Sequence, residues 1–294
     1  MFSFLFSLII ASQLVAPVSE LAQIAMEHKS NYPARKMTGS FEPVIEAKSA
    51  LALDIESGKI LYQKDGFKKR PLASITKLMT ALVFLENNDH WDRKIRISQD
   101  DQKNGGKVVL FPGEEIWLKD LFRTALVGSV NSAAYELASA TPLSYEDFIK
   151  RMNTKAVEIG MKNSIFLEPT GIDAHNMATA MDAAKLIEYA LGKEEIRLAL
   201  TMPNYSFRAA SGESHTLKNT NKLLTSYLNL VGGKTGYTEE AGFCLANVVS
   251  HPKFGQEIVV VILGAESEEE RFQQNKFLSQ WVFDNWEWGE ARKQ

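Results

Sequence analysis

Cysteine and histidine are scarce in this chain of 294 residues. Cys244 is the only cysteine, so no disulfide can form within the chain, and cysteine usage does not indicate the compartment. The five histidines are isolated from one another, and none stands in an H-E-x-x-H or H-x-H pattern. Because zinc hydrolases hold their metal with closely spaced ligands, the sequence does not support a zinc enzyme, and we expect no metal and no other cofactor.

The chain also lacks a large excess of charge of either sign. Its formal net charge is -3, which gives no electrostatic reason to expect a nucleic acid as partner. Hydrophobic residues make up 45% and charged residues 23%, close to the average of globular proteins. These values exclude disordered, collagen-like and coiled-coil classes, and the length allows one large domain or two modest ones.

One long apolar run stands at the N terminus. Residues 2–18 contain only three serines and one glutamine among apolar residues, and the first charged residue is Glu20. This pattern is typical of a signal peptide or a short membrane anchor at 1–18, although no basic residue precedes it and no clear cleavage site follows it. A buried N-terminal helix is the alternative. Export to the periplasm or to the outer face of the cytoplasmic membrane is favoured, with membrane contact only through this segment if it is uncleaved.

The next part of the chain is predicted to be a linker followed by one folded domain. Residues 19–44 are mixed and polar and contain Pro33 and Pro43, which is typical of a linker. The domain is expected over 45–290. It opens with two strand-like runs, 49–56 and 59–63, which Ser57-Gly58 separates as in a hairpin.

The middle of the chain is predicted to be helical, and the C-terminal third to be rich in strands. Apolar spacing and capping residues indicate helices over 73–85, along Leu118, Leu121, Phe122, Ala125 and Leu126, after Ser144, and from Thr179 to Gly192. Three β-rich runs follow at 229–236, 242–250 and 257–264, and a last helix over 271–288 directs Phe277, Leu278, Trp281, Val282 and Trp286 toward a core. Strands at both ends predict one antiparallel sheet with an inserted helical subdomain.

A first candidate for chemistry is Ser74-Ile75-Thr76-Lys77. On a helix this spacing is close to one turn, so the Lys77 amine can approach the Ser74 hydroxyl. A neutral amine can take the proton of a serine hydroxyl, provided that burial or a nearby cation lowers its pKa. The pattern alone is weak, because Ser250 to Lys253 repeats it. That second copy contains a proline and cannot place its lysine one helical turn away.

Two further motifs follow the first along the chain. Ser129-Val130-Asn131 comes just after a helix and a glycine, where a loop can present both polar side chains to a cleft. Lys234-Thr235-Gly236 lies on a predicted strand, where it offers a cation, a hydroxyl and an open backbone to an extended peptide. Each is an ordinary loop or strand end when taken alone, and only the three together in this order are specific.

The succession S-x-x-K, S-x-N and K-T-G is similar to the signature of penicillin-binding proteins and serine β-lactamases. Between about 45 and 288 the chain resembles the low-molecular-mass D-alanyl-D-alanine carboxypeptidases in particular. This resemblance is carried by 71–80, 168–173, 219–224, 233–242 and 265–278. It implies an α/β (α+β) fold of the DD-peptidase/serine β-lactamase type, in which helices flank an antiparallel sheet, and it makes 45–290 the catalytic domain.

The resemblance also implies the activity. Members of this family are serine peptidases that remove the terminal D-alanine of peptidoglycan stem peptides through an acyl-enzyme, and penicillin inhibits them. Stem peptides and β-lactams are therefore the expected partners, and cell-wall synthesis and cell shape the expected processes.

The roles of single residues are carried over from the family in the same way. Ser74 is expected to be the nucleophile, Lys77 its general base, and Ser129 a relay that passes a proton to the leaving amine. The residues expected to bind substrate are Asn131, Lys234, Thr235, Gly236, Tyr237 and Arg271, with the backbone N–H groups of Ser74 and Tyr237 as the oxyanion hole. Arg271 is matched by context only, and a surface arginine of a helix is its alternative.

Several functions compete with this interpretation. Since the sequence ends at Gln294, we expect it to lack the second domain that many relatives carry, and shortened relatives of this kind include peptidoglycan DD-endopeptidases. A DD-endopeptidase is therefore one alternative. A β-lactam sensor that does not release its adduct is another. A β-lactamase is disfavoured because Glu168 lacks an E-x-x-L-N context, and an α/β-hydrolase because no G-x-S-x-G occurs. The third stem residue, the deacylation rate and the oligomeric state are left open.

Overall fold

The structure is a computed structural model that describes residues 32–37, 39–88, 90–98 and 108–289. The predicted signal peptide or anchor, 1–18, lies outside the described residues, as does most of the predicted linker. In the described part of the chain, no helix is long and apolar enough to span a bilayer.

A five-stranded antiparallel sheet organises the chain. Its strands are β2 (Ser49–Asp54), β3 (Ile60–Lys64), β10 (Asn229–Thr238), β11 (Gly242–Ser250) and β12 (Glu257–Ala265), in the order β10-β11-β12-β2-β3. The pairing of β12 with β2 joins Ile258 to Asp54 and Leu263 to Ser49, so the two ends of the domain meet at the centre of the sheet. This confirms the predicted antiparallel sheet closed by both ends of the chain.

Both faces of the sheet are covered by helices, which explains the continuous apolar run of β12. Ile258, Val260 and Ile262 pack in a core with the C-terminal helix, whereas Val259 and Val261 pack in the larger core on the other face. Since side chains alternate along a strand, a strand covered on both sides needs apolar residues at every position.

The helical part lies between β3 and β10. Its helices are α1 (Lys77–Asn87), α2 (Leu118–Val127), α3 (Asn131–Ser139), α4 (Tyr145–Glu158), α5 (Ala180–Leu191) and α6 (Glu194–Thr201). Ser144 and Thr179 cap α4 and α5 through their side chains, as predicted. Every residue of α1 from Lys77 to Phe84 is buried, so this helix runs through the core. The predicted helical subdomain is thus confirmed.

Four pairs of short strands lie outside the five-stranded sheet in the described part of the chain. β4 (Arg70–Pro71) pairs with β7 (Met177–Ala178), β5 (Lys94–Arg96) with β6 (Glu115–Trp117), and β8 (Asn204–Arg208) with β9 (Ser214–Lys218). β1 (Ala34–Arg35) pairs with β13 (Trp286–Glu287). The described part of the predicted linker therefore lies against the C-terminal end of the domain, where Trp281 Nε1 donates to Phe41 O at 3.0 Å.

The last helix differs from its predicted bounds. α7 spans Glu268–Asn285, and the side chain of Ser267 caps it. Leu278, Trp281 and Val282 are buried as predicted, and so is Trp286, which lies just after the helix. The prediction was wrong for Phe277, whose exposed fraction is 53%. Successive helical residues are about 100° apart, which places Phe277 on the flank of the stripe centred on Leu278.

Candidate active site

The three motifs meet at a cleft between the edge strand β10 and the helical part. The cleft has a volume of about 680 Å³. The predicted site residues that line it are Ser74, Ser129, Asn131, Thr235, Gly236, Tyr237 and Arg271. Lys77 and Lys234 lie directly behind this lining, where both are buried.

Ser74 lies in a 3-10 turn, Ala73–Thr76, that leads into α1. The sequence predicted one helix from residue 73, so the first turn is tighter than expected. Ala73 has a φ of 47°, in the left-handed region that non-glycine residues rarely adopt. Such strain is found preferentially at functional sites, and here it presents the Ser74 hydroxyl to the cleft.

The Lys77 amine is the centre of a hydrogen-bond network. Its Nζ atom is 2.8 Å from Ser74 Oγ, 2.6 Å from Asn131 Oδ1 and 2.7 Å from Thr170 O. The side chain is 1% exposed, so its orientation is fixed by packing as well as by these bonds. The one-turn spacing predicted from the sequence does bring Ser74 and Lys77 into contact.

Burial lowers the pKa of Lys77 from 10.5 to about 7, while the charge of Glu168 acts in the opposite direction. A lysine in water is almost entirely protonated at neutral pH and cannot accept a proton. With a pKa of about 7, roughly half of the Lys77 amine is neutral at that pH. Of the two causes that the sequence had indicated, burial and a second cation, burial is the one that lowers this pKa.

The loop 168–176 supplies a partner of Lys77 that sequence reasoning missed. The Glu168 carboxylate accepts from the N–H groups of Thr170 and Gly171, and Asn176 Nδ2 also donates to it, at 2.8 Å. These bonds hold the carbonyl of Thr170 toward Lys77. A Cβ atom at Gly171 would lie 1.9 Å from Ala73 O, so only glycine lets the loop pack against the turn that carries Ser74.

Ser129 and Asn131 lie at the start of α3. Ser129 has a φ of 57°, a second strained residue, and its Oγ is 2.7 Å from Lys234 Nζ. Asn131 is the first residue of α3 and contacts Lys77. The loop predicted to present both side chains is thus a short turn between α2 and α3, and it links the two lysines.

Lys234 and Thr235 come from the middle of β10. Lys234 is 1% exposed, and burial first, then the charges of Lys77 and Arg271, hold its pKa well below its usual range. The Thr235 hydroxyl lies 2.5 Å from the hydroxyl of Thr220, which also lines the cleft. Thr220 is a second residue that sequence reasoning did not single out, although the stretch 219–224 contributed to the resemblance.

Gly236 allows β10 to approach the turn that carries Ser74. A Cβ atom at this position would lie 2.7 Å from Leu72 O and 3.0 Å from Ser74 N. The backbones of β10 and the turn are therefore nearly in contact, with the N–H of Ser74 on one side and Tyr237 on the other. Tyr237 is 51% exposed and stacks on Phe243 with ring centroids 4.2 Å apart.

We expect Gly236→Ala to slow acylation by a fluorescent penicillin by about tenfold to a hundredfold, because the added methyl group forces the turn and the strand apart. Gly192→Ala is the matched control, since Gly192 ends α5 outside the lining of the cleft and has a φ of -67° that alanine adopts readily. Stopped-flow fluorescence gives the rate, and circular dichroism shows whether both variants fold. A Gly236→Ala enzyme that acylates at the wild-type rate would contradict this account.

Arg271 lies in the first turn of α7 and is 4% exposed, which excludes the alternative of a plain surface arginine. Its Nη1 donates to Gly236 O at 3.0 Å and its Nη2 to Glu268 Oε1 at 3.1 Å. Its Nε has no hydrogen-bond partner within the described residues. Burial lowers the pKa of this guanidinium, yet an arginine remains charged. Arg271 therefore adds positive charge behind β10.

The site contains the components of nucleophilic catalysis. A hydroxyl contacts a buried amine that is partly neutral at pH 7, a second lysine contacts a second hydroxyl, and a strand edge runs beside them. No group of His, Cys, Asp and Glu side chains in the described ranges is arranged to hold a metal ion.

Comparison with known proteins gives one consistent result. Residues 36–267 match the D-alanyl-D-alanine carboxypeptidase family of peptidases. The D-alanyl-D-alanine carboxypeptidase DacF of Bacillus subtilis is 34% identical over 249 residues, which are 82% of this chain and 63% of that protein. A D-alanyl-D-alanine endopeptidase of Escherichia coli is 34% identical over 252 residues, 83% of this chain and 80% of that protein. The chain thus spans less than two thirds of the first relative.

Solved structures agree with the sequence comparison. The DD-transpeptidase of Streptomyces K15 superposes with a TM-score of 0.77 at 27% identity, covering 83% of this chain and 100% of that chain. Penicillin-binding protein D2 from Listeria monocytogenes, in a cefotaxime-bound form, superposes with a TM-score of 0.72 at 28% identity and the same coverage.

Proposed function

The chain belongs to the D-alanyl-D-alanine carboxypeptidase family of serine peptidases, and we propose that it removes the terminal D-alanine of peptidoglycan stem peptides through an acyl-enzyme on Ser74. The observation that carries this proposal is the contact of 2.8 Å between Ser74 Oγ and Lys77 Nζ. This hydroxyl has a base beside it whose pKa of about 7 lets it accept a proton at neutral pH.

In the proposed acylation, Ser74 Oγ attacks the carbonyl carbon between the two D-alanines while its proton passes to neutral Lys77. The N–H groups of Ser74 and Tyr237 stabilise the oxyanion of the tetrahedral intermediate, because fixed dipoles already point to where its charge develops. The Ser129 hydroxyl, in contact with Lys234, then passes a proton to the leaving amine. D-Alanine departs and an ester on Ser74 remains.

Two buried basic residues, Lys234 on β10 and Arg271 on α7, suit the site to a substrate that ends in a free carboxylate. Lys234 and Arg271 are both buried, and the hydroxyl of Thr235 lies at the cleft wall in front of them. A carboxylate held there is attracted by the charged guanidinium of Arg271, accepts from Thr235 and favours the protonated form of Lys234. Asn131 and the edge of β10 hold the rest of the peptide in an extended form.

Deacylation reverses these steps with water as the nucleophile. Lys77, neutral again after its proton has reached the leaving group, takes a proton from the water that attacks the ester carbonyl. Ser74 recovers its proton and the shortened stem peptide is released. The Glu168 carboxylate accepts its hydrogen bonds within its own loop, so we assign it a positioning role and not that of a β-lactamase base.

Digestion of purified muropeptides tests the proposed activity. We expect the wild-type protein to release D-alanine from an uncrosslinked pentapeptide, and mass spectrometry of the product to show a tetrapeptide. Ser74→Ala provides the background. If the pentapeptide stays intact while a fluorescent penicillin labels the protein persistently, the chain is a β-lactam sensor and the proposed activity is wrong.

A DD-endopeptidase is the second candidate. The D-alanyl-D-alanine endopeptidases of E. coli and Haemophilus influenzae are 34% and 33% identical to this chain. The chemistry on Ser74 is the same, and only the leaving group differs, a crosslinked stem in place of D-alanine. Conversion of crosslinked dimers to monomers in the same digestion identifies this activity.

The pH dependence of acylation follows from the pKa of Lys77. The protonated amine cannot act as base, so the second-order rate constant is expected to rise about tenfold per pH unit below about pH 7 and to level off above it. Acylation rates with a fluorescent penicillin between pH 5 and about 9 measure this rise and the plateau above it. A rate that is flat down to pH 5 would show that the base is a group other than Lys77.

β-Lactams and the location of the protein belong to the same proposal. A β-lactam offers a strained amide and a carboxylate to the same groups, and the structural neighbour from Listeria is described in a cefotaxime-bound form. We propose that penicillins acylate Ser74 and that the protein acts outside the cytoplasmic membrane, where peptidoglycan lies. The apolar segment 1–18 of the sequence supports this location.

A further inference from the structure

The cleft continues past Ser129 to the hairpin of β8 and β9. Asn204 and Lys218 pair across this hairpin, and both line the cleft. The hairpin is held close to the motif by the Thr220 N–H, which donates to Val127 O at 3.3 Å. A Cβ atom at Gly128 would lie 3.2 Å from the side chain of Leu217, so the two segments are already in close contact.

This extension carries a positive charge, on Lys218, that no described residue pairs with. Lys218 is exposed, and no hydrogen bond or ion pair of its ammonium is found among the described residues. At the adjacent wall of the cleft, the carboxylate of Glu268 forms ion pairs with both Lys222 and Arg271. Lys218 thus faces the cleft as an unpaired cation, and an anionic ligand is favoured there.

The extension lies on the side from which the leaving group departs. In the proposed acylation Ser129 gives a proton to the leaving amine, so whatever is attached to that amine lies on the Ser129 side of Ser74. Thr220 contacts Thr235, and Lys218 lies two residues before Thr220, which is up to about 7 Å along an extended chain. Lys218 is therefore within reach of a group attached to the leaving amine. The carboxylate of a departing D-alanine is one carbon from its amine and lies at Thr235, which leaves Lys218 for a second anionic group.

We propose that Lys218 is a specificity-determining residue for a crosslinked stem peptide, and that its ammonium binds a carboxylate on the leaving stem. The inference rests on the proposed acyl-enzyme chemistry. The amide between the D-alanyl carbonyl and the side-chain amine of the second stem breaks, an ester forms on Ser74, and the released amine takes its proton through Ser129. Water then hydrolyses the ester as it does after carboxypeptidase turnover.

Three substrates and three variants test this inference. The substrates are a crosslinked muropeptide dimer, the same dimer with the carboxylates of its leaving stem amidated, and an uncrosslinked pentapeptide. We expect Lys218→Gln to raise KM for the free-acid dimer about fivefold at low salt, with a smaller effect at high salt and little change in kcat. The amidated dimer and the pentapeptide are expected to be insensitive, and Lys218→Arg to restore the wild-type KM. Lys150→Gln, on the exposed side of α4, is the control.

The outcomes separate the two proposals. Equal effects of Lys218→Gln on dimer and pentapeptide, or no effect on either, overturn the role of Lys218 while the acyl-enzyme chemistry stands. If the wild-type protein cleaves the pentapeptide but not the dimer, the role of Lys218 is also overturned, and the proposed carboxypeptidase activity stands. Absence of both cleavage and penicillin labelling in the wild type overturns the proposed function together with the inference.

Discussion

Ser74→Ala is expected to abolish covalent labelling by a fluorescent penicillin, with a fall in acylation rate of at least about 10⁴-fold, because removal of a nucleophile leaves only binding and the oxyanion hole. The folded state is expected to persist. Lys77 keeps its bonds to Asn131 Oδ1 and Thr170 O, and Ser74 is only partly buried, so alanine leaves no large cavity. Gel fluorescence and intact mass measure the adduct, and thermal unfolding measures the fold.

The chain supplies its own matched control for this variant. Ser250 begins the second S-x-x-K pattern, but it is the last residue of β11, and Lys253 lies in the turn toward β12. Ser250→Ala is therefore expected to label as the wild type does. Labelling that survives in a folded Ser74→Ala protein would place the nucleophile elsewhere and contradict the acyl-enzyme mechanism.

The two S-x-x-K patterns also show how far local sequence determines the site. Proline at residue 252 was enough to exclude the second copy, because its ring cannot continue a helix. The order of the three motifs identified the family, and apolar periodicity gave the sheet and most of the helices. These features are local, since each depends on residues within a few positions of one another.

The remaining parts of the site depend on contacts between distant segments, which local patterns do not encode. Thr170 contacts Lys77 through its backbone carbonyl, so its side chain gives no signal in the sequence. Gly171 reads as a turn glycine, and its close approach to Ala73 is visible only when the loop is packed on the turn. Thr220 and Lys218 reach the cleft because the hairpin of β8 and β9 folds back onto residues 127–128.

Local patterns also led to a wrong prediction for one residue of α7, Phe277, which is exposed. Aromatic residues near the end of the chain predicted a core-facing stripe that included Phe277, yet only a narrower stripe is covered by the sheet. The boundary between buried and exposed positions is set by the width of the opposing surface, which the helix itself does not specify.

Lys77→Met has the second largest expected effect, and it separates the role of this amine in catalysis from its effect on stability. Without a base beside Ser74, acylation is expected to fall by about 10³-fold or more, since a positioned base contributes 10²- to 10⁴-fold in general. Methionine has a similar length and fills the buried site, although the carbonyl of Thr170 and the amide oxygen of Asn131 each lose a donor.

The stability of the wild-type protein and that of Lys77→Met are expected to depend differently on pH. In the wild type the pKa of Lys77 is about 7 in the folded state and 10.5 in the unfolded chain, so between these values the unfolded chain binds more protons. The free energy of unfolding of the wild type therefore rises as the pH increases from about 7 to about 10, and this rise is expected to be smaller in Lys77→Met. Urea unfolding at several pH values measures the difference. Titrations that do not respond to the charge of Lys77 cancel from it, whereas Lys234, whose pKa that charge lowers, contributes to it. Equal pH slopes would show that Lys77 stays protonated in the folded enzyme, and a protonated amine cannot be the base that activates Ser74.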